Sequence, residues 1–396
     1  MQALLFWCLS MAGVSLILTA VTHVSVLAVF RRTARLSRTP PISVLKPLKG
    51  DDDGLYENLV SLATQDYPCF EVLFGCEDST DPALLVARRV QREFPHVRIL
   101  LLSGAEPMGM NPKVNTLAML AERARFDWLL ISDSNVRARP DYLAAMASEI
   151  EDERVGLVSS VLVGTGERTL GARFDNLHMN SCVVRAVCGA DVVASHPCVI
   201  GKSMLFRHSV LQSIGGFEAV KDVLAEDYVL ARAFRAAGFR IALSAHPLRA
   251  ISVQRTVGEF FGRHVRWNQM RRHLMPRLYA LEPLQSPTPW LLFALAIVLF
   301  GEAELATWPV LAGILSALAL RVGSDAAIAG LLRGAPLRFT DHGALLLKDV
   351  LFLAIWAIGA VKRTVNWRGN RMRIGAGSRL HPWVQDSRPS AALESV

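Results

Sequence analysis

Several patterns that would narrow the function are missing from this 396-residue sequence. Its six cysteines form no C-x-x-C pair and show no zinc-finger spacing, and a chain of this length needs no disulfide bonds to stabilise its core. No dense run of lysine and arginine stands alone in a polar context. We therefore expect reduced thiols in a cytosolic compartment, no zinc module and no nucleic-acid partner.

Charged residues are also scarce, at 20% of the chain, whereas hydrophobic residues reach 52%. The hydrophobic excess lies at the two ends and leaves a middle of ordinary soluble composition. The net charge is +8, and the arginines cluster beside the apolar tracts, which favours contact with a membrane surface. The composition therefore predicts a soluble-type domain between membrane segments, with the bilayer as a partner.

The first apolar tract is long enough to be a membrane anchor. Residues 4–30 form a nearly uninterrupted apolar run, and about 20 such residues cross a hydrocarbon core. The run is too long for the core of a cleaved signal peptide, the alternative interpretation, and no basic segment precedes it. By the positive-inside rule, the arginines that follow place the next domain in the cytosol: Arg31, Arg32, Arg35 and Arg38. We assign residues 1–31 to this anchor.

Three further apolar tracts lie within residues 285–362, the predicted C-terminal membrane segments: 289–301, 305–320 and 344–361. Glu302 and Glu304 separate the first two, as expected of a hairpin that turns on the non-cytosolic side. Lys348 and Asp349 interrupt the third, and a basic tail over residues 363–396, disordered at its end, should be cytosolic. Four crossings would put that tail outside, so we predict three, with the third C-terminal tract re-entrant or interfacial.

The middle segment, residues 40–255, alternates short apolar strands with helices. Strands are predicted at 42–48, 70–76, 97–102, 128–131 and 155–163, and helices at 55–64, 82–94 and 115–124. Such alternation indicates an α/β domain whose mostly parallel sheet is covered on both faces. Ligands bind such sheets at the carboxyl ends of the strands, where Asp78 and Asp133 stand.

Four features have the residue types that a transferase of nucleotide-linked sugars needs: Asp78, Asp133, Asp227 and the segment Arg263-His264-Val265-Arg266-Trp267. One carboxylate can bind the uracil or ribose, a second can hold Mg²⁺ or Mn²⁺ on the diphosphate, and a third can accept the proton of the attacking hydroxyl. The alternative for Asp78 and Asp133 is that each caps the helix after it.

The segment from 256 to 284 is predicted to be an amphipathic helix at the membrane interface. Its Arg263, Arg266 and Trp267 share one helical face, because they are spaced i, i+3, i+4. The arginines can bind phosphate oxygens, and the tryptophan can form an apolar wall for the acceptor. Alternatively, a basic aromatic helix of this kind only lies on the bilayer.

From about residue 40 to residue 375 the chain closely resembles the ceramide glucosyltransferase family, glycosyltransferase family 21. The similar segments are Leu45 to Gly50, Gln65 to Pro68, Asn111 to Asn115, Asp133-Ser134 with Arg137 and Pro140-Asp141, Glu226 to Tyr228, Arg263 to Trp267, and Asn366 to Arg368 with Arg371 and Arg373. The resemblance implies a GT-A-type domain of an inverting enzyme. It also implies UDP-glucose as donor, ceramide as acceptor, and glucosylceramide formed at the cytosolic face of a bacterial inner membrane or Golgi membrane.

The resemblance also implies roles for individual residues. Asp78 would contact the nucleotide, Asp133 the diphosphate or the metal, and Asp227 would be the general base. The remaining donor-site residues would be Lys46, Lys49, Lys113, Arg263, Arg266 and Trp267. Many sugar transferases have D-x-D where this chain has Asp133-Ser134-Asn135, and a neutral amide is a weaker ligand for a hard cation. Mg²⁺ or Mn²⁺ is therefore expected, although the pattern does not establish a strict requirement.

The acceptor site is predicted between the second and third aspartates, within residues 169–203. Two histidines there, His178 and His196, are candidates to bind the acceptor hydroxyl, although a lone histidine is more often a core or surface residue.

Three alternatives stay open. The same chemistry could act on another membrane lipid, such as a hopanoid or diacylglycerol. A processive polysaccharide synthase uses similar motifs but needs a channel, for which the apolar tracts are few. A membrane-tethered nucleotide-binding scaffold would have no chemical need for Asp227.

Overall fold

The strands form where short apolar runs are bounded by turn residues. The computed structural model describes residues 1–33, 36–196, 198–301, 307–367 and 370–383. Within those ranges the strands are β1 (Ile42–Leu48), β2 (Phe70–Cys76), β3 (Arg98–Ser103), β4 (Trp128–Ser132), β5 (Val136–Arg137), β6 (Val155–Thr165), β7 (Ser203–Arg207), β8 (Arg240–Ile251), β9 (Thr364–Trp367), β10 (Asn370–Ile374) and β11 (Leu380–Pro382).

The first eight strands form one sheet in the order β3-β2-β1-β4-β7-β6-β8-β5. Neighbouring strands run parallel from β3 to β4 and again from β6 to β8, whereas β7 and β5 pair antiparallel with their neighbours. The predicted mostly parallel sheet is therefore confirmed. Because β1 and β4 are parallel neighbours, the segments that follow their carboxyl ends meet at one edge.

The helices in the described ranges are α1 (Gln2–Phe30), α2 (Leu55–Ala63), α3 (Ala83–Glu93), α4 (Pro112–Arg123), α5 (Tyr142–Ser148), α6 (Leu170–His178), α7 (Val184–Ala194), α8 (His208–Ser213), α9 (Glu226–Ala236), α10 (Val257–Leu274), α11 (Pro276–Leu281), α12 (Thr288–Phe300), α13 (Trp308–Arg333) and α14 (Phe339–Val361). A π-helical turn over Met179–Val183 joins α6 to α7.

Helices cover both faces of the large sheet. Val44 and Val72 belong to one buried apolar cluster, whereas their chain neighbours Leu45 and Leu73 belong to another on the opposite face. Successive side chains of a strand point to opposite faces, so strands buried on both sides are apolar at most positions. This explains why these strands appear in the sequence as continuous rather than alternating apolar runs.

Among the described residues, three helices are long and apolar enough to cross a membrane by length and composition: α1, α13 and α14, with 29, 26 and 23 residues. Helix α12 has only 13 residues and is bent by 55° from the segment Pro276–Gln285 before it. Tract 344–361 lies within the continuous helix α14, which packs on α10 and α6, and its re-entrant or interfacial placement stays a prediction. The predicted acidic link at Glu302 and Glu304 lies outside the described residues.

Helix α14 stays continuous because its two charged residues are buried and paired. Lys348 is in contact with Asp349, and Asp349 also accepts hydrogen bonds from the hydroxyls of Ser286 and Thr288, each at 2.7 Å. Arg321 of α13 donates to the same carboxylate at 3.2 Å. A charge in an apolar environment is costly unless it is paired in this way.

Two C-terminal segments have structures that differ from those predicted from the sequence. Helix α10 lies between α6 and α14 rather than on a free surface, and its Phe260 is fully buried against Phe174 and Leu345. The tail, predicted only as a basic segment, forms the antiparallel sheet β9-β10-β11 from Thr364 to Pro382. The predicted disorder at its end falls on residues 384–396, outside the described residues.

Candidate active site

One cavity of about 610 Å³ extends from the edge of the large sheet to the membrane helices. Eight of the predicted site residues line it: Lys49, Lys113, Asp133, His178, Asp227, Arg263, Arg266 and Trp267. At its other end it is lined by apolar residues of α12 and α14: Pro289, Phe352, Leu353 and Trp356. The cavity therefore joins a charged region to an apolar one.

Asp133 follows β4 and lies among lysines. The Nζ atom of Lys113 is 3.0 Å from Asp133 Oδ1 and 2.9 Å from Glu226 Oε1, and it donates to the carbonyl of Gly201 at 2.9 Å. The Nζ atom of Lys202 is 3.9 Å from the other oxygen of Asp133. Burial alone would lower the pKa of Lys113, but Asp133 and Glu226 raise it well above its usual value, so this ammonium stays charged.

Lys46 lies beneath this region rather than in it. It is fully buried in β1, and its Nζ donates to the backbone carbonyl of Asp133 at 2.7 Å and to the hydroxyl of Ser132 at 3.3 Å. Burial lowers its pKa to about 7, although Asp133 acts in the opposite direction. Lys46 is absent from the cavity lining, so its observed contacts fix the strand-end loop.

Asp227 stands in the first turn of α9, with its carboxylate towards the cavity. Its Oδ2 accepts the backbone N–H of Gly201 at 2.7 Å, and its Oδ1 accepts that of Tyr228 at 2.8 Å. Burial and the neighbouring Glu226 raise the pKa of Asp227 to about 6, while Lys113 opposes the rise. A carboxylate that binds a proton near neutral pH is suited to general-base chemistry.

The segment from Arg263 to Trp267 is organised by a carboxylate that sequence reasoning did not identify. Asp175 of α6 accepts from Arg263 Nη1 at 3.0 Å and lies 2.8 Å from His264 Nε2. The Arg263 guanidinium also lies 4.5 Å above the ring of Trp267. Burial would raise the pKa of Asp175, but Arg263 and His264 hold it far below its usual value. The only sequence signal was an acidic residue three positions before His178 on a helix with an apolar face.

His178 lines the cavity, whereas His196 does not. His178 is 8% exposed, stacks on Phe352 with ring centroids 3.6 Å apart, and its Nδ1 has no hydrogen-bond partner among the described residues. Burial lowers the pKa of His178, which keeps the ring neutral and able to accept a hydrogen bond. His196 is exposed and its ring contacts Arg235 instead.

Asp78 does not share this cavity. Its carboxylate accepts the backbone N–H and the hydroxyl of Thr80, at 2.8 and 2.7 Å, in a local turn after β2. The acidic residues of this region that line the cavity are Asp52 and Glu77. Asp78 does not cap α3, the helix after it, so the capping alternative does not describe its contacts, while its nucleotide contact stays a prediction.

Asp133 has the ligand chemistry of a divalent-metal site, but it stands alone in this respect. About a quarter of its side chain is exposed, and carboxylate oxygens are what Mg²⁺ and Mn²⁺ prefer. Within the described ranges no group of three or more His, Cys, Asp or Glu side chains could hold a metal ion. Asn135, at the last position of the D-x-D-like segment, contacts Lys202. A bound cation would therefore need oxygens of the diphosphate as well as Asp133.

Together, the α/β sheet, the charged cavity and the apolar helices define a membrane-associated glycosyltransferase with a GT-A-type domain. Residues 5–380 match the family model described as glycosyl transferase family 21, and the chain belongs to that family. The family predicted from the sequence motifs is thus confirmed.

Two relatives and one solved structure are similar to this chain over most of its length. Ceramide glucosyltransferase 1 of Caenorhabditis elegans is 30% identical, over 86% of this chain and 73% of its own length. A ceramide glucosyltransferase of Komagataella phaffii is 24% identical, over 84% and 82%. The mannosyltransferase PcManGT from Pyrobaculum calidifontis, solved with GDP-Man and Mn²⁺, is 19% identical with a TM-score of 0.49, over 89% of this chain and 99% of that one.

Proposed function

We propose that this protein transfers glucose from UDP-glucose to the primary hydroxyl of ceramide and forms glucosylceramide with inversion at the anomeric carbon. The observation that carries the proposal is the single cavity that joins Asp133 and Asp227 to Phe352 and Trp356 of a membrane helix. A water-soluble donor and a lipid acceptor must meet in such a space. The names of the relatives, ceramide glucosyltransferases, support this acceptor.

The donor would bind at the sheet edge. The cavity is lined by four basic residues, Lys49, Lys113, Arg263 and Arg266, so the diphosphate would lie among them. Asp78 is proposed to contact the nucleotide. Asp133, with diphosphate oxygens, would hold Mg²⁺ or Mn²⁺, which when bound offsets negative charge on the departing UDP.

The transfer step would be a direct displacement. The acceptor oxygen forms a bond to the anomeric carbon while the bond between that carbon and the diphosphate oxygen breaks, and UDP leaves with the electron pair. Asp227 accepts the proton of the hydroxyl, which its pKa of about 6 allows at neutral pH. Trp267 would form the wall beside the acceptor, and His178 would accept a hydrogen bond from its polar head.

The catalytic domain is proposed to lie on the cytosolic face. Arg31 and Arg32 directly follow α1, and Lys362 and Arg363 directly follow α14. Both basic segments would lie on the same side if α1, the bent element α11–α12 and α13 cross and α14 lies at the interface. In support, the end of α12 and the start of α13 pack on the first half of α1, and the end of α13 packs on its last turns. This arrangement suits a bacterial inner membrane or a Golgi membrane.

The proposal is tested by expressing the chain in a host that makes no glycolipid and analysing its lipids by mass spectrometry. Membranes are also incubated with labelled UDP-glucose, UDP-galactose or UDP-N-acetylglucosamine and a panel of ceramide, diacylglycerol and a hopanoid. Glucosylceramide formed only with UDP-glucose is the expected result. Transfer to another lipid would replace the acceptor, a polymeric product would revive the polysaccharide synthase, and donor binding without any transfer would favour the scaffold.

A further inference from the structure

The C-terminal sheet β9-β10-β11 packs on the segment that leads into the proposed general base. This segment, residues 222–225, connects a short 3₁₀ turn at Phe217–Val220 to α9. Its Leu224 is buried among apolar residues of the C-terminal sheet: Val365, Met372, Ile374 and Leu380. Trp367, the last residue of β9, also lines the cavity. The C-terminal sheet is therefore part of the wall of the cavity.

Ser378 makes the most direct connection between the two segments. Its hydroxyl oxygen accepts the backbone N–H of Ala225 at 3.1 Å, and its carbonyl accepts that of Leu224 at 2.9 Å. Beside it, the N–H of Leu380 donates to the carbonyl of Asp222 at 2.7 Å. Ser378 is fully buried and has a φ of 63°, a conformation that is unfavourable for a residue other than glycine. The fold keeps a serine here despite that backbone cost.

The opposite side of the same segment is held by the loop before α4. The side chain of Asn111 donates to the carbonyl of Val223 at 2.7 Å, and Asp222 Oδ1 accepts the N–H of Met110 at 2.8 Å. Asn111 also caps α4, the helix that carries Lys113. Residues 222–225 are thus fixed from two sides immediately before Glu226 and Asp227.

We propose that Ser378 is a positioning residue for the transfer step: its two hydrogen bonds fix residues 224 and 225, and thereby the place of the Asp227 carboxylate in the cavity. The inference rests on the proposed role of Asp227. Ser378 itself does not line the cavity, so its effect must pass through the backbone at the start of α9.

The test compares Ser378→Ala and Ser378→Gly in the full-length protein, with UDP-glucose and ceramide as substrates. Both variants lose the hydroxyl, but glycine also removes the strain of the positive φ. If the hydroxyl positions Asp227, both lower kcat about 3- to 10-fold, as expected for one lost hydrogen bond, and leave KM for UDP-glucose unchanged. The acidic limb of the pH profile should also move to lower pH, because a looser segment admits water to Asp227.

A wild-type kcat in Ser378→Gly would assign the role to the backbone conformation and overturn the proposal. Arg371→Ala is the matched control, since Arg371 lies on the same sheet, is exposed, and stacks 4.1 Å from Trp383. It should change neither kcat nor the pH profile.

Hydrogen exchange at the amides of residues 222–228 gives a readout that does not depend on the substrate. It should become faster in both Ser378 variants and stay unchanged in Arg371→Ala; unchanged exchange in Ser378→Ala would overturn the proposal. Absence of glucosyl transfer by the wild-type protein would refute the proposed function, and full activity of Asp227→Asn would refute the proposed base. Both outcomes are distinct from a failure confined to the Ser378 variants.

Discussion

Two of the buried groups of charged residues in the described part of the molecule are built differently. At the sheet edge, Lys113, Asp133, Glu226 and Asp227 line a cavity, and one carboxylate has a pKa of about 6. Between the membrane helices, Asp325 is flanked by His23 at 2.9 Å, by Arg185 at 3.7 Å and by Arg321, and Asp349 has four partners.

The charged residues at the sheet edge are suited to catalysis, whereas those between the membrane helices hold the helices together. A carboxylate surrounded by cations and hydroxyls has its acceptor capacity filled and joins helices that are far apart in the sequence: α1, α7, α13 and α14. A carboxylate held mainly by backbone N–H groups beside another carboxylate can still take up a proton. Substitutions in the two groups should therefore affect different measurements.

The largest effect is expected from Asp227→Asn. The amide cannot accept the hydroxyl proton, so kcat should fall about 10³-fold, within the range for loss of a general base. The dissociation constant for UDP, measured by calorimetry, should change less than about threefold. Glu218→Gln is a suitable control, because this exposed residue on the preceding turn contacts only Lys221. Equal loss of transfer and of UDP binding would indicate a structural role for Asp227.

The membrane group should show the opposite pattern. Asp325→Asn leaves Arg185 and Arg321 without their shared counter-charge, and breaking a buried ion pair costs about 3–5 kcal/mol. We expect a lower midpoint of thermal unfolding in detergent and less folded protein, with kcat per folded molecule close to wild type. Ser324→Ala, the adjacent residue on the same helix, should leave both unchanged. A stable Asp325→Asn protein that has lost activity would show that the two groups are coupled.

How far these groups could be predicted from sequence depends on how local each interaction is. β2 was predicted at Phe70–Cys76 and lies there, because an apolar run between turn residues is a local signal. Asp133 and Asp227 were selected by motif. They share a cavity because β7 runs antiparallel to β4, which places Gly201, whose N–H binds Asp227, beside the end of β4. Asp175 was missed because its role requires α6 to meet α10, which are nearly 90 residues apart in the sequence.

The C-terminal region was harder for the same reason. Lys348 and Asp349 suggested an interrupted segment, because their partners Ser286, Thr288 and Arg321 come from other helices. The strands of the last sheet have only three to five residues, and β10 alternates arginine with apolar side chains, so its basic character obscures the period of two. The contact between this sheet and Leu224 in the folded protein shows which face of the sheet is apolar.

A smaller effect is expected from pH. Asp227 must be deprotonated to act as a base, so with its pKa at about 6 the value of kcat/KM should be constant near neutral pH and fall about tenfold by pH 5. Lys113 lowers the pKa of Asp227, so Lys113→Met should move this limb to higher pH and raise KM for UDP-glucose. If the acidic limb of the pH profile lies at the same pH in Lys113→Met as in the wild type, a group other than Asp227 controls it.

The smallest effect distinguishes the two histidines. His178→Ala removes a neutral ring that stacks on Phe352 in the cavity, so KM for ceramide should rise about 3- to 10-fold, as expected for one lost hydrogen bond, while KM for UDP-glucose stays the same. His196→Ala, on an exposed residue that contacts Arg235, should leave both constants unchanged. Because His178 lies between Asp175 and the membrane helices, a change in KM for UDP-glucose instead would place the donor, rather than the lipid, against this ring.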